Sequence, residues 1–112
     1  MKLSYEDHNE ITVLTLSGEL TSDQADSFRR ACRERFSNGV RDILIDVQHL
    51  NHIDSIGLEL LLWLKDEAST FGGQLRLINP DDMLSEVLRV TRLDRRFDTH
   101  ETIEAAAKSL RS

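Results

Sequence analysis

The apolar positions of this chain change period several times between its two ends. Near the N-terminus, "LSYED" and "ITVLTLS" flank the polar turn His8-Asn9-Glu10, and Val13, Leu14 and Leu16 interleave with Thr12 and Thr15. Short runs of β-forming residues around a polar turn predict the two strands of a hairpin. From Thr21 the period lengthens. Phe28, Ala31, Cys32 and Phe36 recur at helical intervals, Thr21 and Gln24 have capping-box spacing, and Asn38-Gly39 supplies a stop. This predicts a first helix of about four turns.

In "RDILIDV" the residues Ile43, Leu44 and Ile45 are consecutive and apolar. That pattern predicts a strand buried on both faces, as in the middle of a parallel sheet. "QHLNHID" reads as a loop leading into a second helix, from Ser55 to about Phe71, which Gly72-Gly73 ends. "QLRLI" reads as a strand broken by Asn79-Pro80. "DMLSEVLRVTRL" reads as a third helix with Met83, Val87, Leu88 and Val90 turned inward. "RRFDTH" allows a short last strand, and "TIEAAAKSL" a final helix capped by Thr102. The predicted order is β-β-α-β-α-β-α-β-α.

Alternation of this kind demands parallel pairing through right-handed crossover helices. The expected fold is therefore α/β: a mixed sheet of about five strands, opening with an antiparallel hairpin and continuing with parallel strands, covered by about four helices. No repeat, low-complexity tract or linker interrupts the pattern, so residues 1–112 read as a single domain. Met1 opens directly onto the first strand and little follows the last helix, so a complete, free-standing protein is expected.

Composition narrows the function more than the fold. Net charge is −6 and the isoelectric point is near 5.1, with no basic stripe. Nucleic acid and anionic membranes are therefore poor partners. Aromatic residues make up 5%, which leaves few platforms for stacking bases or sugars. Cys32 is the sole cysteine, so no internal disulfide forms, as suits a reducing compartment. "MKLSYEDHNE" has no apolar signal region, and the longest apolar run, "LLLWL", is far short of the ~20 residues of a membrane span. No membrane insertion and a cytoplasmic location are expected.

Catalytic signals are weak. Ser55 stands in I-D-S-I-G, not in a G-x-S-x-G elbow, and none of His8, His49, His52 and His100 has a triad context. His49-x-x-His52-x-Asp54 has three potential metal ligands but no second ligand cluster, so it reads as two polar loop histidines near a strand end. No glycine arrangement forms a phosphate-cradling loop. Cys32 lies on the apolar stripe of the first helix and reads as core. No enzyme, no metal and no cofactor is expected.

The second helix is richer. At about 100° per residue, Gly57, Leu61, Leu64, Ala68 and Phe71 fall in one sector facing the sheet. Ile56 and Trp63 fall together off that sector, beside Glu59 and Glu67, while Leu58 and Leu62 widen the apolar arc on the other side. Either flanking helices cover Ile56 and Trp63 or they form a docking patch. Ser55 precedes this helix at the C-terminal side of a β-α connection, where the helix offers unpaired N–H groups and partial positive charge. There it can cap the helix, and a phosphate would be tolerated. Local physics alone favours the cap.

"GEL" after the second strand, "ILIDV" as the third and "IDSIGLELLL" opening the second helix resemble the STAS domain, and more narrowly bacterial anti-sigma factor antagonists. The resemblance implies a partner switch. The unmodified domain would bind an anti-sigma factor serine kinase of the histidine-kinase-like ATPase type. The kinase would phosphorylate Ser55 and release the domain, and a PP2C-type phosphatase would reverse this. Asp54, Ile56, Gly57 and Leu58 would form the surrounding motif. Glu19, Thr21 and Asp23 would border it, and Ile56, Glu59, Leu60 and Trp63 would meet the partner. The chain departs from the family at Ile56, where Ser or Thr is common, and at Thr21, where Asp is common. Other STAS proteins imply alternatives: a subunit stabilising the ATPase of an ABC-type lipid transporter, or a stressosome-type scaffold component. Weak homodimerisation through Trp63 stays open.

Overall fold

A computed structural model describes residues 1–110. The elements are β1 (Lys2–His8), β2 (Ile11–Leu20), a 3-10 turn (Ser22–Gln24), α1 (Ala25–Ser37), β3 (Asp42–Ile53), α2 (Ser55–Thr70), β4 (Leu75–Ile78), α3 (Asp82–Val90), β5 (Asp98–His100) and α4 (Ile103–Ser109). The strands form one sheet in chain order, β1 antiparallel to β2 and every later pair parallel. This is the predicted mixed sheet with four helices.

Because the strand order never reverses, right-handed crossovers put α1, α2 and α3 on the same face of the sheet. Phe28, Cys32 and Phe36 of α1, Leu61, Leu64 and Ala68 of α2, and Leu84 and Leu88 of α3 share one core with Leu14, Leu16, Ile43 and Ile45. On the other face Ala106 of α4 closes over Leu44 and Ile78. The consecutive Ile43-Leu44-Ile45 run is thus buried on both sides, as its pattern predicts.

Two strands run further than their periodicity suggests. "GEL" belongs to β2 instead of following it, and "QHLNHI" is not a loop but the second half of β3. The core-facing residues of β3 are Ile43, Ile45, Val47, Leu50 and Ile53, spaced by two, two, three and three. The wider steps coincide with irregularities in the pairing of β2 with β3. Each extra residue of a bulge breaks alternation without ending the strand. His49 and His52 are therefore strand residues opposite Ser17 and Glu19.

Three smaller corrections concern helices. The Thr21–Gln24 pair forms, with Gln24 Oε1 accepting from Thr21 N at 2.9 Å and from its Oγ1 at 2.8 Å, but it closes the 3-10 turn, and α1 itself starts at Ala25. Val90 is exposed, Leu84 and Leu88 are buried, and Met83 and Val87 pack on the core from its margin, because the inward stripe of α3 is narrower than its apolar content. Phe71 lies just past α2, half exposed and stacked on Phe36 at 4.8 Å, outside the core sector. Thr102 caps α4 as expected, its Oγ1 accepting from Ala105 N at 3.1 Å. Burial pushes the Cys32 thiol up to about 12, so it stays protonated as a small core residue. Among the described residues no helix is long and apolar enough to cross a membrane.

Candidate functional site: a serine presented at the start of α2

Asp54 builds this site. Its backbone is extended, which lets its side chain turn back onto the helix. Oδ1 accepts from Gly57 N at 2.8 Å, and Oδ2 accepts from Ser22 N at 3.2 Å. Its own N–H donates to Leu20 O at 3.4 Å. One carboxylate therefore satisfies the first turn of α2 and ties it to the turn that follows β2. The Gly57 N–H above all, then the Ser22 and Ile56 N–H groups and the nearby His52, hold this carboxyl below the usual carboxylate range, against partial desolvation.

The cap is thus Asp54, not Ser55. A carboxylate has two oxygens for two donors, and only the residue before the first helical turn has the extended backbone a cap needs. Ser55 becomes the first residue of the helix. It is exposed, and its hydroxyl makes no hydrogen bond among the described residues.

A depressed carboxyl adds stability above its unfolded pKa, near 3.8, and loses it as pH falls through the folded value. Asp54→Asn removes the charge and with it this pH dependence. We expect a lower urea midpoint than wild type near pH 7, and a smaller difference between the two proteins near pH 3, followed by circular dichroism. Equal midpoints at both pH values would assign no role to the charge.

Gly57 is the second structural element of the site. It is buried, and a Cβ there would lie 2.1 Å from Leu20 O and 2.6 Å from Ile53 Cγ1. Only glycine lets α2 approach the end of β2 this closely. Two of the four residues in D-S-I-G are therefore explained by folding, and the serine between them is not.

The neighbouring segment lies alongside. Glu19 stands opposite His52 and Leu20 opposite Ile53, so residues 19–23 run beside the start of α2. Glu19, Asp23 and Glu59 are exposed, and Thr21, Ile56 and Leu58 are half-buried. Leu60, expected at the partner surface, is fully buried and cannot meet a partner. Around the helix axis it lies about 60° nearer the sheet-facing sector than Trp63. Trp63 is half-buried, and the Phe28 ring of α1 meets it edge-on, with centroids 6.5 Å apart and planes at 65°. Ile56 packs against the same core. The flank of α2 that carries Ile56 and Trp63 faces α1, so α1 covers much of the apolar surface that the helical projection leaves open. Trp63 also lies about 12 Å along the helix from Ser55.

The structure brings Asp54, Ser55, Ile56, Gly57, Glu19, Thr21, Asp23 and Glu59 to one edge of the molecule. Sequence reasoning passes over Ser22, whose backbone N–H carries no sequence signal, and over Arg29 and Arg33, which flank Trp63. Among the described residues, no group of three His, Cys, Asp or Glu side chains is placed to hold a metal ion.

A sequentially ordered mixed sheet whose third strand leads into a capped Asp-Ser-x-Gly helix start has the architecture of a STAS domain. The chain matches that domain over residues 2–106 and belongs to the STAS family. Within it, the chain is similar to proteins described as anti-sigma factor antagonists. A Thermotoga neapolitana homologue of this description is 28% identical over 102 residues, 90% of each chain. The crystal structure of its Thermotoga maritima counterpart superposes with a TM-score of 0.88 at 24% identity, covering 98% of this chain and 95% of that one. The antagonist SpoIIAA in its unphosphorylated form gives 0.83 at 24% identity, covering 98% and 96%. The Bacillus cell fate determinant SpoIIAA in its phosphorylated form gives 0.74 at 24%, covering 96% and 98%.

Proposed function

We propose that this chain is an anti-sigma factor antagonist that binds an anti-sigma factor serine kinase and is released when Ser55 is phosphorylated. The observation that carries this reading is the division of labour at the start of α2. Asp54 caps the helix and Gly57 lets it pack, which leaves the Ser55 hydroxyl exposed and without a structural task. A phosphate at this position would sit at a helix N-terminus, where the fold tolerates negative charge. The SpoIIAA structures, named for unphosphorylated and phosphorylated forms, support the same reading by likeness.

In this proposal Asp54, Ser55, Ile56, Gly57 and Leu58 form the switch, with Glu19, Thr21, Asp23, Glu59 and the rim of Trp63 beside it. A PP2C-type phosphatase resets it. The chain is a single-domain, cytoplasmic regulator and performs no chemistry of its own. The test is capture of partners from the native host with the tagged chain, read by mass spectrometry for both the bound proteins and Ser55 phosphate. We expect a serine kinase on the unmodified chain and phosphate on Ser55 in part of the population. Recovery of transporter ATPase subunits alone, with Ser55 always unmodified, would replace this reading with that of a transporter subunit.

A further inference from the structure

Helix α1 carries three arginines, Arg29, Arg30 and Arg33, that join none of the ion pairs among the described residues. Two of them converge on Trp63. The guanidinium carbons of Arg29 and Arg33 stand 6.0 and 5.4 Å from the centroid of its ring. They are four residues apart and so share a helix face, while Arg30 lies between Asp26 and Glu34 at the same spacing on the solvent side. These side chains and Ser37 line a shallow groove of about 330 Å³.

We propose that Arg29, Trp63 and Arg33 form a carboxylate-binding site that docks an acidic segment of the kinase whose binding Ser55 controls. The inference rests on the reading of the chain as a kinase-binding antagonist. A guanidinium lying against an indole is held in place and weakly hydrated, and its N–H edge stays free to grip a carboxylate with two parallel hydrogen bonds. The side-chain ordering that usually weakens surface ion pairs is already done.

Charge selects the occupant. Asp26 and Glu34 flank Arg30 at helical spacing, while Arg29 and Arg33 are the two cations gathered on Trp63, on a chain of net charge −6. Two positions do not match the repeating phosphates of a nucleic acid, but they match one or two carboxylates on a protein segment. Position selects the same partner that meets Ser55. Trp63 is about 12 Å from Ser55 along one helix, within the ~800 Å² per partner of a standard interface. The site also sharpens the switch. A phosphate on Ser55 would repel the carboxylates that Arg29 and Arg33 attract.

The test measures affinity for the anti-sigma kinase encoded in the same genome, by titration calorimetry at two salt concentrations. The variants are Arg29→Glu with Arg33→Glu, Arg29→Lys with Arg33→Lys, and Arg33→Glu alone. Arg33 is exposed and Arg29 half-buried, and circular dichroism checks that each variant is folded. The double glutamate variant should bind about 30-fold more weakly and lose most of the salt dependence. The double lysine variant should lose about 3- to 10-fold, since charge remains while the planar fork goes. Kinase binding by the double glutamate and Arg33→Glu variants within about 3-fold of wild type would overturn the site and leave the Ser55 switch standing. If wild type dimerises, the glutamate variant does not, and kinase affinity is unchanged, the occupant is a second copy and the proposal fails. If unmodified wild type binds no kinase, the antagonist reading fails and takes this inference with it.

Discussion

Replacing Gly57 by alanine should destabilise the chain by about 3 kcal/mol, at the upper end of what overpacking a core contact costs. The new methyl would meet Leu20 O at 2.1 Å and Ile53 Cγ1 at 2.6 Å. The first of these atoms is backbone, and neither neighbour can yield cheaply. Leu20 is fully buried, and its carbonyl accepts the Asp54 N–H. Relief must come from α2 backing away, which stretches the Asp54–Gly57 bond and moves Ser55 with it. Gly72→Ala is the control. It too would be strained, at a φ of +82°, but its methyl would meet nothing within 4 Å, so the cost should be about 1–2 kcal/mol of backbone strain alone. Urea midpoints of the two variants separate packing from conformation. A Gly57→Ala loss no larger than that of Gly72→Ala would show that α2 has room to spare.

Phosphorylation of Ser55 should lower affinity for the anti-sigma kinase about 100-fold while leaving the fold intact. The phosphate brings about −1.5 to −2 charge at neutral pH. Within the free chain it faces water and the N–H groups at the start of α2, so folding costs little. Under a partner it must be desolvated, beside Asp54 and below Glu59 on the exposed side of α2. A penalty of ~3 kcal/mol corresponds to the 100-fold loss. Ser55→Ala should bind like wild type, because the hydroxyl supports nothing in the fold. Ser55→Asp, with a single charge on a shorter side chain, should fall between. Calorimetry with enzymatically phosphorylated protein is the decisive measurement, and equal affinity of the phosphorylated and unmodified chains would end the electrostatic account.

Most of the architecture was legible because it rests on period and punctuation. The hairpin, the doubly buried β3 and the four helices follow from alternation, consecutive apolar residues and stop signals. The extent of β2 and β3 was not legible, since bulges break alternation while hydrogen bonding continues, and Leu50 and Ile53 then look like part of a loop. The serine itself could be located by sequence but not weighed. Ser and Asp are both good caps, and only the Asp54–Gly57 bond shows which one has the task. Trp63 and Leu60 show the limit of a helical projection. It places a residue on a face of its own helix but does not know how close the next helix comes, and here α1 lies over Trp63 while Leu60 turns inward.

The order β1-β2-β3-β4-β5 also bears on how the chain reaches its structure. Each strand finds its partner in the strand just before it, so every closure spans a hairpin or a single helix, and the entropy lost in each loop is small. Sequential order keeps these closures shorter than a shuffled strand order would, while the parallel pairs, such as Ile11 with Asp42, still form more slowly than the opening hairpin. As synthesis proceeds, β1, β2 and β3 can pair before the residues of α3 and β5 exist. The Ser55 turn needs only β2, β3 and the first turns of α2 to take shape. The switch would then be assembled early, in the part of the chain made first, and the later elements would extend the sheet away from a site already in place.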